Sequence, residues 1–479
     1  MGFYGRRDLE QQLEDLTGKR VSSFVTCRGR RRIGKSTLIE HFAHKIGARF
    51  IKIEGLKPRA GINNEDELST FAEQLAAQTE SEPTTPANWL FAFKRLDREI
   101  KDDVCTVVLL DEVSWLGQYD KTFSGTLKIA WDNMFKKHDR LIFVVCGSVS
   151  TWICDNIIDN RAFYGRRSLD LIVRELPMSE CVKFWGEAAM RIPPREIFDI
   201  LAVTGGVPKY LEEINPALSS AENLRRMCFL PKSPLREDFD EMFTDVITKQ
   251  PTFTAKVLRA LMDGACSLTE IADMLGVVKS GNITECLVQL VESGLLSGDV
   301  GKNPVTGATM REQRYRIADN YVRFYLKYIE PVKDAIDSGA FVFSDLNALK
   351  GWPTIMGLAF ENMVVNHVRD LLSPLHLENA LVTSAAPYVK RGSRKTGVSG
   401  CQVDLLIQTA ESFCLVEIKR KTRIGPEVIE EMKKKVVAFP SVKGKALRTA
   451  LVYDGDLDPV VPAQGYFDAI ISFGRLLDL

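Results

Sequence analysis

Hydrophobic positions along the first 180 residues follow two alternating patterns. Short apolar runs at Ser22–Cys27, Phe50–Ile53, Val104–Leu110 and Leu141–Cys146 predict strands. The last two are unbroken, the mark of strands buried on both faces. Between them, Ser36–Ile46 and Asp66–Gln78 carry helical spacing, with Leu68, Phe71 and Leu75 at i, i+3 and i+7. This alternation predicts a parallel sheet covered by helices. Glu80–Pro86 is a polar, Pro-containing loop. From Ser179 to about Phe243 the pattern is mostly helical, broken at Gly205, Gly206 and Pro208. Three helical patterns run from Thr254 to Leu296, ahead of a turn-rich stretch at Gly301–Gly307. The last segment, Thr354–Leu479, opens on an apolar helix, expected over Leu358–Leu372. It then turns to strands at Gln402–Ile407 and Phe413–Ile418.

Composition narrows the class. The chain has 479 residues, room for about three domains at the usual ~100–200 residues each. Lys+Arg and Asp+Glu are 63 each, so a strongly basic histone-like binder is excluded, while local basic patches stay open. No apolar run reaches the roughly 18–20 residues of a membrane span, and no membrane partner is expected. The start MGFYGRRDLE has no apolar signal-peptide core. Arg6 is neither Ser nor Thr, against myristoylation. Ten dispersed cysteines without a CxxC pair read as buried small hydrophobes of a reducing, cytoplasmic compartment. His41 and His44 share a helical face and read as solvated surface.

Gly29-Arg30-Arg31-Arg32-Ile33-Gly34-Lys35-Ser36 matches GxxxxGK[ST] in full, after a strand and opening a helix. Its backbone N–H groups and the helix N-terminus suit a polyphosphate, with Thr37 next in line. Lys35 is expected on the β- and γ-phosphates and Ser36 on Mg²⁺. Val107–Leu110 is a buried run ending in Asp111 and Glu112. Asp111 is the expected holder of the Mg²⁺ shell and Glu112 the polariser of the attacking water. Ser148, after the next strand, is a candidate γ-phosphate sensor or a plain turn serine.

In these motifs, residues 1–240 resemble the AAA+-like, STAND-related P-loop ATPases of archaea and bacteria. The resemblance is carried by GRRRIGKS, LLDE, CGS, YGRR at 164–167, TGGVPKY at 204–210 and the opening FYGRRDLE. It implies that Phe3, Gly5 and Arg6 lie near the adenine and that Arg166 or Arg167 is an arginine finger, which implies a homo-oligomer; the alternative for this pair is a surface salt bridge. The physical warrant is that a guanidinium stabilises charge on the transferring phosphoryl group. Lys209 falls where a second sensor sits.

Farther on, Ser267 and Glu270 have capping-box spacing. Helix, turn, helix and a strand at Gln313–Ile317 fit a winged helix. It either reads DNA through Lys279–Thr284 or docks a protein. Near the C-terminus, Asp404 precedes Glu417-Ile418-Lys419 by thirteen residues. Glu417 and Lys419 share a strand face, and Glu361 lies on the preceding helix. Two carboxylates suit a hard divalent cation, and Lys419 suits charge stabilisation or water activation. Residues 354–479 thus resemble a PD-(D/E)xK nuclease domain in αβββαβ order, with Val403 in place of the motif's proline. Lys419, Arg420, Lys421, Arg423 and Lys433–Lys435 read as a basic patch for a phosphate backbone, or as a solvated basic face.

The expected fold is α/β and multidomain: a P-loop core (1–175), helical lid (176–248), winged helix (249–330), helical linker (331–353) and restriction-endonuclease-like domain (354–479). ATP and Mg²⁺ are the expected cofactors, with Mn²⁺ an option at Asp404 and Glu417, and DNA is the expected partner. The expected function is an ATPase gating a metal-dependent nuclease. The alternative is an ATP-switched DNA-binding or regulatory protein whose nuclease-like domain only binds.

Overall fold

The computed structural model describes residues 3–147, 150–237, 239, 251–392 and 400–478. The chain forms two compact units, Met1–Glu175 and Leu176–Leu479. No helix among the described residues is long and apolar enough to cross a membrane. All ten cysteines are free thiols, most of them buried.

The first unit is built on five strands: β1 Ser23–Arg28, β2 Arg49–Glu54, β3 Thr106–Asp111, β4 Leu141–Gly147 and β5 Arg167–Ile172. Their order is β2-β3-β4-β1-β5, and every neighbouring pair is parallel. Parallel strands need crossovers, and helices supply them. Every residue of β3 and β4 is buried, as their unbroken apolar runs require. An aromatic cluster of Phe24, Phe71, Trp89, Phe93, Phe123, Phe135 and Phe143 fills the space under the helices. Trp89 meets Phe123 edge-on at 4.8 Å between ring centroids.

Caps set the helix boundaries. Asn63 accepts the Glu65 and Asp66 N–H groups, and the Asp66 side chain accepts the Asn63 N–H in return. The helix therefore runs Asn64–Gln78, two residues ahead of its apolar pattern. β5 is the strand that the apolar pattern did not announce, because its inward residues alternate with Arg167, Ser168 and Asp170.

In the second unit, helices Pro251–Ala260, Leu268–Leu275 and Gly281–Glu292 accompany a small antiparallel sheet. It contains β6 Cys266–Ser267, β7 Leu296–Asp299 and β8 Arg314–Ile317, in the order β6-β8-β7. Ser267 and Glu270 form the capping box, so the middle helix starts at Leu268. The C-terminal sheet holds β9 Val382–Lys390, β10 Cys401–Thr409, β11 Ser412–Ile424, β12 Ala446–Leu457 and β13 Ala469–Ser472 in the order β13-β12-β11-β10-β9. β9, β10 and β11 are antiparallel, and β12 and β13 add in parallel. Helix Trp352–Asn366 precedes this sheet, and helix Glu427–Ala438 bridges β11 to β12. The first of these was expected to continue to Leu372. It breaks at His367, whose ring bonds the Met363 carbonyl at 2.8 Å and the Leu176 carbonyl at 3.0 Å.

The segments of this unit interlock. Arg316 of β8 donates to Asn362 and, at 2.8 Å, to Asn366, both on helix Trp352–Asn366. Phe198 of helix Pro194–Thr204 meets Phe360 at 5.4 Å and Phe473 at 5.5 Å edge-on.

One buried carboxyl in the first unit yields a stability test. Glu67 is 1% exposed and accepts the Leu56 N–H at 3.2 Å. Burial pushes its pKa up to about 7, against the lowering effect of the Leu56 N–H. A folded-state pKa above the unfolded one adds stability that is full below the unfolded value and lost as pH rises through about 7. Glu67→Gln keeps an acceptor and cannot titrate. Melting temperatures measured from about pH 5 to 8 should show wild type losing stability relative to the variant as pH rises. Parallel curves would contradict this reading of Glu67.

Candidate functional site

The glycine-rich loop leaves β1 at Arg28 and enters helix Lys35–Lys45. Gly34 takes a left-handed conformation at the cap, φ 85°, and Arg32 does so at φ 62°. A Cβ on Gly29 would lie 2.2 Å from the Val173 carbonyl oxygen. Only glycine lets the loop pass the backbone that leaves β5. Ile33 is buried and anchors the loop in the core. Arg6 ties the arrangement together: its guanidinium donates to the Ile33 carbonyl at 2.9 Å and to the Arg174 carbonyl.

Lys35 is 6% exposed, and its ammonium donates to the Gly29 and Arg30 carbonyls at 3.1 and 3.0 Å. The charge thus points into the concavity of its own loop, where phosphate oxygens would take over from the carbonyls. Ser36 lies half-buried in the first helical turn, and Thr37 is exposed. Arg30 stays inside, 3.8 Å from Glu175, and Arg31 is half-buried.

Because the strands are parallel, Asp111 at the end of β3 stands on the same sheet edge as this loop. The Cys146 thiol on β4, between them, is pushed up by its contact with Cys27 and by burial. It feels Asp111 and Lys35 with opposite sign, so both charges converge there. Asp111 accepts the Glu112 N–H at 3.1 Å and pairs with Lys52 at 3.3 Å. Glu112 follows in a left-handed turn, φ 46°. A donor set of Ser36 and Asp111 beside a phosphate cradle fits Mg²⁺ with a bound polyphosphate.

Two residues of this site escaped the sequence reading. Lys52 of β2 faces Asp111 across the sheet, and its pKa rises because Asp111 and Glu54 outweigh burial. Gly55 brings backbone against the turn after Asp111: a Cβ there would lie 2.9 Å from the Glu112 carbonyl and the Leu116 N–H. Lysine at an alternating strand position and glycine at the strand exit were the available signals.

Arg166 and Arg167 sit elsewhere. Arg166 grips Asp132 with two bonds, 2.7 and 2.9 Å, and this contact, with Lys128, lowers the Asp132 pKa to about 2. Arg167 is level with Phe24 at the start of β1 and donates to the Ile158 carbonyl at 3.4 Å. Both therefore stand at the sheet edge opposite the loop, which leaves β1 four residues beyond Phe24, roughly 13 Å away at ~3.3 Å per strand residue. Neither reaches the phosphate site of its own chain. Phe3 stacks on His41 at 4.1 Å, and His41 pairs with Glu10 at 3.1 Å, so this histidine is partnered rather than merely solvated. Gly5 and Arg6 form the left-handed entry to the first helix. Lys209 pairs with Glu212 at 3.2 Å. Ser148 lies outside the described residues.

The second unit brings Asp404, Glu417 and Lys419 together. Leu405 of β10 is level with Val416 of β11, so Asp404 faces Glu417 across the strand pair. Asp404 accepts the Ile418 N–H at 2.9 Å. Glu417 is fully buried, with Lys419 at 2.7 Å from one oxygen. Lys435, from helix Glu427–Ala438, reaches the other at 2.5 Å and Asp404 at 3.4 Å. Burial and the Glu417 charge raise the Asp404 pKa, while Lys435 and the Ile418 N–H oppose them. A single cationic group already touches both carboxylates, so their oxygens fit a hard divalent cation. Among the described residues no three His, Cys, Asp or Glu side chains form a metal cage. Glu361 therefore does not complete a three-ligand cluster with Asp404 and Glu417 among the described residues. Burial and the Asp404 charge push it up to about 7, against Arg316, Arg323 and Lys435.

The basic patch is corrected by its pairings. Lys435 points inward, Lys419 also holds Glu431 at 2.9 Å, and Lys433 holds Glu430 at 2.7 Å. Arg423 holds Asp458 at 2.7 Å, and Lys421 lies 3.9 Å from Glu427. Arg420 is buried between Asp199 at 3.0 Å and Asp454 at 3.3 Å, over the Phe198 ring. Carboxylates thus neutralise most of the face expected to meet phosphates. Ahead of helix Gly281–Glu292, the exposed Lys279 stands beside Val277 and Val278, the latter 84% exposed.

No family model matches the chain. An uncharacterized protein of Methanocaldococcus jannaschii is 24% identical over 370 residues, 76% of this chain and 77% of that protein. A Walker-type ATPase of Pyrococcus abyssi is similar in structure, with TM-score 0.49 and 17% identity, covering 68% of this chain and 96% of that one. The ORC2 protein of Aeropyrum pernix, with ADPNP and ADP, gives TM-score 0.40 and 16% identity over 70% and 92%. The ORC1 protein of the same organism, in complex with DNA, gives 0.30 and 15% over 70% and 95%. These scores lie below 0.5. The P-loop fold of the first unit rests on its strand order and its loop.

Proposed function

We propose that the chain is an ATP-binding and ATP-hydrolysing protein of AAA+-like type, and that its second unit carries a winged helix and a metal-dependent phosphodiesterase of PD-(D/E)xK type acting on DNA. The observation that carries the first part is the convergence of Lys35, inside its loop, with Asp111 at one sheet edge. The loop N–H groups and Lys35 bind the phosphates, and Asp111 with Ser36 holds Mg²⁺, which neutralises phosphate charge when bound. Glu112 orients and polarises the attacking water. Arg166 or Arg167, on the far edge, serves the nucleotide of a second copy, so the active form is a homo-oligomer.

In the second unit, Asp404 and Glu417 hold Mg²⁺ or Mn²⁺, which supplies Lewis-acid charge when bound. Lys419 positions the attacking water and stabilises phosphorane charge. Glu361, with its pKa about 7, is an auxiliary carboxyl suited to moving a proton near neutral pH. A second reading has a specific support: Lys435 already compensates both carboxylates. In that reading the domain only binds DNA and responds to the nucleotide. The apolar approach to helix Gly281–Glu292 favours a protein-docking role for the winged helix in either case.

Lys35→Ala should abolish nucleotide binding in a fluorescence titration. Glu112→Gln should keep binding and slow turnover by about 10²-fold or more, the usual worth of a positioned base. Unchanged turnover would remove Glu112 from that role. Arg166→Ala or Arg167→Ala should slow turnover more than binding, and mixing with Lys35→Ala subunits should restore part of it. Full activity of a sedimenting monomer would end the idea of a finger acting between copies. With Mg²⁺ or Mn²⁺, wild type should cut DNA and Asp404→Ala should not, while both hydrolyse ATP alike. If wild type leaves single-strand, duplex and branched DNA intact in every metal and nucleotide state, the binding-only reading replaces this one.

A further inference from the structure

Lys435 occupies a position no motif foretold. Its helix, Glu427–Ala438, packs on β10 and β11, and its ammonium lies 2.5 Å from Glu417 and 3.4 Å from Asp404. That is where oxygen donors from two adjacent strands converge, the place a divalent cation needs. Two cations cannot share it, since like charges at contact repel strongly in a buried site. Lysine differs from a fixed ligand because its charge rides on a flexible four-carbon stem. Its side chain is 20% exposed, so a route to solvent exists.

A second partner is also in place. Glu431 lies one helical turn before Lys435, at the i−4 spacing that lets side chains meet. Its side chain is 42% exposed, and its carboxylate is bonded to Lys419 at 2.9 Å. Lys419 in turn keeps its own bond to Glu417 at 2.7 Å. If Lys435 swings out to Glu431, the inner carboxylates retain Lys419 and gain room for a divalent ion.

We infer that Lys435 is a tethered competitor for the divalent cation at Asp404 and Glu417: it holds the carboxylate pair when metal is scarce, and metal enters only as Lys435 moves to Glu431. This rests on the proposed metal site. The consequence is a site tuned to weak metal binding, closed by its own side chain. Removing the ammonium leaves buried carboxylates under-compensated, so the loss should be repaired by metal and by little else.

The test uses the full chain without nucleotide or DNA. Mn²⁺ is titrated calorimetrically and by thermal unfolding into wild type, Lys435→Met and Asp404→Asn. Lys435→Met should melt lower than wild type without metal, bind Mn²⁺ at least about tenfold more tightly, and regain stability as Mn²⁺ is added. Lys435→Arg, which keeps the charge, should stay weak. Lys435→Gln replaces the Met variant if that protein does not fold. Equal Mn²⁺ affinity in wild type and Lys435→Met, with binding lost in Asp404→Asn, overturns the competition and leaves the metal site standing. If no Mn²⁺ binding in either protein depends on Asp404, both ideas fall and Lys435 is a permanent structural cation.

Discussion

Glu417 has lost all contact with solvent, and two ammonium groups compensate for it, Lys419 at 2.7 Å and Lys435 at 2.5 Å. A buried carboxylate without such partners costs several kcal/mol. This requirement ties β11 to helix Glu427–Ala438 through Lys435, which also reaches Asp404 of β10. The same rule operates at Arg420, buried over Phe198 between Asp199 and Asp454, which joins helix Pro194–Thr204 to β11 and β12. In the first unit it reappears as Lys52 against Asp111. Charges that give up water therefore dictate which elements of the chain can be neighbours, and both sites lie where that compensation is concentrated.

The two sites differ in how backbone and side chains share the work. Around Lys35 the backbone dominates: Gly29 passes Val173 with no room for a Cβ, and Gly34 turns the chain into its helix. Such a site is shaped before any ligand arrives, and its cation rests on its own carbonyls. Around Glu417 side chains dominate, drawn from two strands and a helix. Their charges rearrange more easily than a loop backbone does. Arg323 adds to the charge around Glu361: it is 3% exposed, its Nε and one terminal nitrogen have no partner among the described residues, and burial lowers its pKa to about 10.

What was legible in the sequence was local. The P-loop, the Ser267–Glu270 capping box and the i, i+2 relation of Glu417 and Lys419 are all fixed within a few residues. The apolar runs also marked β3 and β4 as buried strands. What escaped was set by partners far along the chain. Arg420 read as part of a phosphate-binding face, yet its partner Asp199 is 221 residues away. Lys435 read as surface for the same reason, because helical position alone does not say which strand a lysine meets. Gly55 carried no motif, and its need for glycine arises only where β2 passes the turn after Asp111. The edge on which Arg166 and Arg167 stand follows from the direction of β5, a strand with too few consecutive apolar residues to be recognised.

On the proposed function, this chain carries two separate cation-dependent sites, one for a nucleotide and one for a phosphodiester. Anomalous diffraction from crystals of the full chain grown with Mn²⁺ and a non-hydrolysable ATP analogue tests it directly. Two manganese peaks are expected: one beside Ser36 and Asp111, and one between Asp404 and Glu417 with the Lys435 ammonium displaced. A peak at the nucleotide alone, with Lys435 still between the two carboxylates, would contradict it.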